Sequence, residues 1–169
     1  MFNAGDTIVY PHHGAGRVLE VVQQDFQGQP RSYYSIHILQ NDLNVMVPVD
    51  LSDKAGLRPV ITEPMVELVF SVLRDDPTGM PMNWNHRIRQ NHEKIKTGDV
   101  FELADVVRNL ASRDRQKGLS TGEKQMFLKA RRILASELMC VRDLEEEDAL
   151  HLLDAVLAES STQTRFSEN

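Results

Sequence analysis

Apolar and polar positions follow two different periods along the chain. As far as about Ile61 they alternate. Thr7-Ile8-Val9-Tyr10 is a β-branched and aromatic run stopped by Pro11, and His12-His13-Gly14-Ala15-Gly16 supplies turn residues. Arg17 to Val22 resumes a strand, and Gln27-Gly28-Gln29-Pro30 turns the chain again. From Tyr33 to Leu39, Tyr34, Ile36 and Ile38 face one way, and Ser35 and His37 the other. From Leu43 to Val49, Val45, Val47 and Val49 oppose Asn44, Met46 and Pro48. Short strands at close spacing predict a small, strongly bent sheet or barrel with one wet face.

Beyond Ile61 the period becomes helical. Thr62-Glu63-Pro64 opens a helix whose stripe is Met65, Leu68, Val69, Val72 and Leu73. After the loop Asp76–Pro81, Asn83 can cap a second helix that runs to about Lys96 and stops at Thr97-Gly98. Asp99 with Glu102, and Ser120 with Glu123, have the spacing of capping boxes and open a third and a fourth helix, the third ending at Gly118. A last helix spans about Glu145 to Ala158, with its acids in the first turn, where the helix dipole favours them. Residues 160–169 are polar and read as a loose tail. The chain is therefore expected to be α+β: a small β domain followed by an all-α domain of about five helices.

Composition supports folding and limits chemistry. Of 169 residues, 41% are hydrophobic and 26% charged, enough apolar content for a packed core. Cys140 is the only cysteine, which excludes an intramolecular disulfide and a cysteine-based zinc site. The start MFNAGDTIVY has neither the basic nor the apolar region of a secretory signal, and no apolar stretch reaches the roughly 18 residues of a membrane span. A soluble protein of a reducing compartment is the expectation.

The net charge of −6 at first argues against a nucleic-acid partner. Its distribution argues otherwise. Residues 1–75 carry −4 and residues 143–169 carry −7, whereas residues 84–142 hold 13 Lys/Arg against 7 Asp/Glu. A local field, not the global sum, steers a polyanion, although mixed charges also commonly solvate helix faces.

Catalytic and metal signatures are missing. His12-His13 are adjacent, so in a strand they would point to opposite faces, and no third metal ligand is evident. Gly14 and Gly16 join two strands, without the helix start a phosphate loop requires. His86 and His92 lie six apart, on different helix faces, and Cys140 sits among apolar neighbours. No nucleophile elbow, Walker loop or zinc-protease motif occurs.

The one unusual segment is Asn83-Trp84-Asn85-His86-Arg87-Ile88-Arg89-Gln90-Asn91-His92-Glu93-Lys94-Ile95-Lys96. The only tryptophan stands in the first turn of a helix, followed by Arg87, Arg89, Lys94 and Lys96 against one acid, Glu93. A helix start offers free N–H groups, arginines add phosphate donors, and an aromatic at the tip can stack on or wedge beside a base. The plainer alternative is a core anchor with solvated cations around it.

These motifs together resemble the CarD/CdnL family of bacterial RNA polymerase-binding transcription regulators. The resemblance runs from Phe2 to about Leu157. Its carriers are Gly5-Asp6-Thr7-Ile8-Val9-Tyr10-Pro11 with His12-His13-Gly14, Met46-Val47-Pro48-Val49, Gly56-Leu57-Arg58, Asn83-Trp84-Asn85-His86-Arg87, Glu93-Lys94-Ile95-Lys96-Thr97-Gly98, and Gly118-Leu119-Ser120-Thr121-Gly122-Glu123-Lys124. It implies a Tudor-like domain over residues 1–61 that docks on the polymerase β subunit, partly by strand addition, with Met46 and Pro48, and more weakly Ile36, in contact. It implies that the helical domain, residues 62–159, contacts promoter DNA near the upstream edge of the −10 element and stabilises the open complex. Trp84 would wedge at the minor groove, with Arg87 and Arg89 on nearby phosphates and His86 at a further DNA-contacting position, where a neutral histidine would give up one phosphate contact. His86 departs from the arginine often found there. Gln24 and Met46 stand where some members carry polymerase-contacting arginines, so a more apolar interface is expected. The resemblance further implies a monomeric, non-catalytic protein of the bacterial cytoplasm, nucleoid-associated through polymerase, without metal, cofactor, small-molecule substrate or membrane contact. A protein–protein adaptor without DNA contact is the alternative.

Overall fold

The computed structural model describes the backbone of residues 1–167 and the side chains of residues 1–160. The first half is a five-stranded antiparallel sheet: β1 (Thr7–Tyr10), β2 (Gly14–Phe26), β3 (Gln29–Ile38), β4 (Leu43–Pro48) and the short β5 (Arg58–Pro59), in the order β4-β3-β2-β1-β5. One 3-10 turn, Val49–Leu51, follows β4. Five helices follow among the described residues: α1 (Glu63–Arg74), α2 (Trp84–Lys96), α3 (Val100–Gln116), α4 (Thr121–Arg142) and α5 (Glu146–Ser167). The α+β arrangement expected from the two periods is the one observed.

The alternation assigns the sheet faces. Tyr34, Ile36 and Ile38 are buried, together with Ile8, Val18, Val47 and Leu57, in a core of their own. Register explains the packing: Ile36 pairs with Val45, Tyr34 with Val47, and on the other face Ser35 pairs with Met46 and Tyr33 with Pro48. The β2–β3 turn is tighter than expected. It consists of Gln27 and Gly28, both at positive φ, which is the twist a two-residue hairpin requires, so pairing begins already at Phe26 with Gln29. A register shift between Val18 and Glu20 bulges β2 and bends it. The pattern did not reveal β5, because two residues carry no period.

The helices start where their caps predict. Asn83 accepts from His86 N, Asp99 from Phe101 N and Glu102 N, and Ser120 from Glu123 N. α5 is longer than expected. No glycine or proline follows Ala158 to stop it, and the helix runs on to Ser167; residues 168–169 of the expected tail lie outside the described residues. The helical core is separate from that of the sheet and is built on Val66, Leu73, Val107, Leu110, Leu134 and Leu138 with their neighbours.

Polar contacts join the two cores. Glu137, on α4, is 1% exposed. Its carboxylate accepts Nη1 and Nη2 of Arg58 at 2.7 and 2.9 Å and the Ile61 amide at 2.8 Å. Arg58 Nε donates to the Gly98 carbonyl at 2.6 Å. The Ser136 hydroxyl accepts the Ala15 amide at 2.9 Å. A Cβ on Gly14 would stand 2.8 Å from that hydroxyl oxygen, and the residue has φ +94°, so glycine is required on both counts.

Removing one partner from a buried ion pair strands the other, at a cost of roughly 3–5 kcal/mol. Glu137→Ala should therefore lower the free energy of unfolding by roughly 3 kcal/mol, read from urea denaturation. A loss below about 1 kcal/mol would show that this carboxylate does not hold the junction.

Candidate nucleic-acid and protein interfaces

Two surfaces carry the candidate residues. The first is the tip where α2 and α4 begin. Trp84 occupies the first position of α2 and is 48% exposed. Helical spacing places it above Arg87, Asn91 and Ile95, all buried, yet its turn overhangs the end of the bundle, so only part of the ring finds cover. Trp84 Nε1 donates to Ser120 Oγ at 3.0 Å, and the ring lies over Gly122, where a Cβ would be 3.7 Å from it. The indole is thus held by Ser120 and packed near Gly122, while about half of it remains exposed.

Ser120 is the centre of this tip. Its hydroxyl oxygen accepts from Trp84 and from the Glu123 amide at 3.2 Å, and its proton goes to Glu123 Oε1 at 3.2 Å. Glu123 Oε1 takes Arg87 Nη2 at 2.9 Å, and Glu123 Oε2 takes Arg87 Nε at 3.3 Å. Arg87 Nη1 donates to the carbonyls of Pro81 and Met82 at 3.2 and 3.1 Å. Burial alone would raise the Glu123 carboxyl, but Arg87, by hydrogen bond and by charge, together with Ser120 and Arg113, outweighs it and holds the pKa below the ordinary 4.5. The stabilisation this carboxylate contributes is fully present above about pH 4.5 and is lost as pH falls through its lower folded-state value.

Arg87 is therefore not a phosphate contact. It is 3% exposed and its fork is committed to Glu123. The sequence offers no sign of this, since the acid that claims it lies 36 residues away. His86 and Arg89 are exposed on the outward side of α2, three residues apart, and Arg89 makes no ion pair among the described residues. Ser120 and Gly122 enter the site as supports, legible only as a helix start. Lys124 follows in the first turn of α4, exposed and without an ion pair among the described residues. Two helix starts and three exposed polar or basic side chains around a half-exposed indole make a surface suited to phosphates and to one unstacked base.

The second surface is β4, an edge strand with β3 on one side only. Leu43 and Met46 are 50% and 42% exposed, and Pro48 is half-buried. Met46, Pro48, Tyr33 and Ser35 share the outer face. Ile36 does not belong with them. It is fully buried on the core face, opposite Val45, so a partner could reach it only by opening the sheet. The edge can accept another strand through its backbone, with Met46 beside it as an apolar contact.

The histidines pack on neighbouring rings. His12 and His13 fall in the β1–β2 turn, where the His12 ring packs on His92 at 5.1 Å and the His13 ring on Tyr10 at 4.6 Å. Among the described residues, no group of three His, Cys, Asp or Glu could hold a metal ion, and no helix is long and apolar enough to cross a membrane. Burial raises the Cys140 thiol, and Glu137 raises it further, so it is a poor nucleophile.

Comparison with known proteins follows the same division. The family model of the CarD-like/TRCF RID domain matches residues 2–61, and that of the CarD C-terminal domain matches residues 68–154. The chain belongs to the CarD/CdnL family. A candidate transcription factor of Bacillus subtilis (strain 168), YdeB, is 32% identical over 147 residues, covering 87% of this chain and 96% of the relative. Among solved structures, CdnLNt from Myxoccoccus xanthus is 36% identical, with a TM-score of 0.33, over 37% of this chain and 89% of the other. As a CarD/CdnL member the protein is a transcription regulator with RNA polymerase as its partner, in a family of generally non-catalytic regulators.

The contrast between the two arginines is measurable. Arg87→Ala should cost roughly 3 kcal/mol of stability, because it takes from buried Glu123 its two-bond partner and leaves only the longer Arg113 contact and Ser120. Arg89→Ala should change stability by no more than about 0.5 kcal/mol. Thermal unfolding of the two variants decides it, and equal melting temperatures would refute the buried role of Arg87.

Proposed function

We propose that this regulator docks on the RNA polymerase β subunit through the β4 edge and presents Trp84 to promoter DNA at the upstream edge of the −10 element, stabilising the open complex. The observation that carries the reading is the placement of Trp84: a large indole left half-exposed at a helix start, with its nitrogen hydrogen-bonded so that the ring has one orientation. An aromatic without a binding role is ordinarily covered. On this reading residues 1–61 are the polymerase-interacting part and residues 62–159 the DNA-contacting part. The protein acts as a monomer, brought to the nucleoid by polymerase.

The energetics suit a tethered factor. Unstacking a base step costs a few kcal/mol, and a pre-oriented ring offsets part of that without first losing its own freedom. His86 and Arg89 supply phosphate contacts that read little sequence, so promoter preference is expected to be weak. Low free affinity for DNA is sufficient, because polymerase raises the local concentration. Stabilisation arises only because the melted form is bound better than the closed duplex.

Trp84→Ala should leave the melting temperature and polymerase binding near wild type and shorten the open-complex lifetime by about tenfold or less, in line with ~1–3 kcal/mol per stacked base diluted by the remaining contacts. Lifetimes measured on several promoters test it. No change on any of them would favour an adaptor that does not touch DNA. Met46→Asp should weaken binding to the isolated β-subunit lobe by about tenfold, since it puts an unpaired charge into an apolar contact. Titration with wild-type affinity would remove Met46 from the interface.

A further inference from the structure

The β1–β2 turn, the loop after β4 and the end of α2 enclose a cleft that the reading above does not use. It has a volume of about 460 Å³ and is lined by Tyr10, Pro11, His12, His13, the segment Asp53–Gly56, Lys96 and Thr97. That is the size of a small-molecule site rather than a packing defect. We propose that this cleft between the two domains binds a small phosphate-bearing anion of the pyrophosphate class.

Charge is the first argument. Lys54 and Lys96 line the cleft, and Lys129 of α4 acts on both His12 and His13. None of the three lysines has an ion-pair partner among the described residues, in a protein where most arginines do. Asp53 is the one acid in the lining. Lys54 and Lys96 bring unpaired charge to the lining from two segments, with the charge of Lys129 felt at the histidines, and a multivalent anion relieves the repulsion among them.

The build of the walls is the second argument. Pro11 is clamped between two glycines. A Cβ would come within 3.0 Å of its ring at Gly56 and within 2.9 Å at Gly98, so the turn and the loop are held in fixed register. His12, a non-glycine residue, is held at φ +71°, with its ring on His92. The cleft is therefore formed in advance. The negative end of α2 beside it is blunted, because the Thr97 amide, the Thr97 hydroxyl and the Gly98 amide take the carbonyls of Glu93, Lys94 and Ile95.

Burial first, and then Lys129, hold His12 and His13 below the ordinary 6.5, with His92 and Lys96 adding to the effect on His12. Neutral imidazoles can still donate one N–H each. By linkage, an anion seated among them raises both values, and binding tightens as pH falls through the imidazole range. A recess of this volume admits a small anion and is too small to take in a duplex.

The test is an NMR titration of the histidine ring signals of the full chain with pyrophosphate, at ionic strength held constant with chloride. The expected result is a saturable shift of the His12 and His13 signals and a rise in their pKa values. Affinity should fall by about tenfold or more in Lys54→Ala/Lys96→Ala, the scale of losing charge-assisted hydrogen bonds, and stay at wild type in Lys117→Ala, on the far end of α3. Shifts that never saturate, or equal affinity in the double variant, would overturn the proposal. A parallel titration with a short duplex separates the two sources of phosphate: response to duplex without response to pyrophosphate would overturn it as well. None of these outcomes depends on Trp84 or on polymerase.

Discussion

A single buried carboxylate governs how the two halves of this protein sit together. Glu137 lies inside the helical domain, yet every hydrogen bond it accepts comes from the segment that leaves the sheet, from Arg58 and Ile61. A charge in that position is tolerable only while those donors are aligned, so the junction is all-or-none rather than a sliding hydrophobic contact. The edge of β4 and the tip that carries Trp84 are built on separate cores. The Glu137 contacts tie them together, with Ser136 and Arg132 adding hydrogen bonds to Ala15 and Gln40. On the proposed function, these contacts set where the indole stands relative to the β4 edge.

Within the helical half, electrostatics is arranged for position before it is arranged for binding. The excess of cations over residues 84–142 looked like a DNA-facing field. Seven of the thirteen are in ion pairs: Arg87, Lys94, Arg108, Arg113, Arg131, Arg132 and Arg142. The cations without an ion pair among the described residues are Arg89, Arg115 and four lysines, Lys96, Lys117, Lys124 and Lys129. Arginine suits the buried pairs because its planar fork takes a carboxylate in two bonds, and lysine suits the surface because its ammonium is strongly hydrated. The exposed field is thus weaker than the sum suggests, and more mobile.

Much of the fold was legible because it is written in local terms. Alternation gave the faces of β3 and β4, and single polar residues, Asn83, Asp99 and Ser120, gave three helix starts. The same alternation put Ile36 on the core face, away from Met46 and Pro48, although the resemblance implied a contact there. What failed was whatever depends on residues distant in sequence. Arg87 reads as a free cation until Glu123 is brought to it across 36 positions. Ser120 reads as a cap until Trp84 is laid against it. β5 and the β2 bulge involve too few residues to show a period, and α5 outran its expected end because nothing in the sequence stops a helix there.

The clamp of Pro11 between Gly56 and Gly98 bears on how such a chain can change over time. The two family models split it between residues 61 and 68, which suggests interchangeable modules. Yet a side chain at position 98, in the helical half, would collide with a proline ring in the sheet half. A half carrying a side chain at position 56 or 98 would not seat on the Pro11 ring, so the fit of the two halves depends on residues from both. The halves are separable in recognition but matched to each other at this one contact.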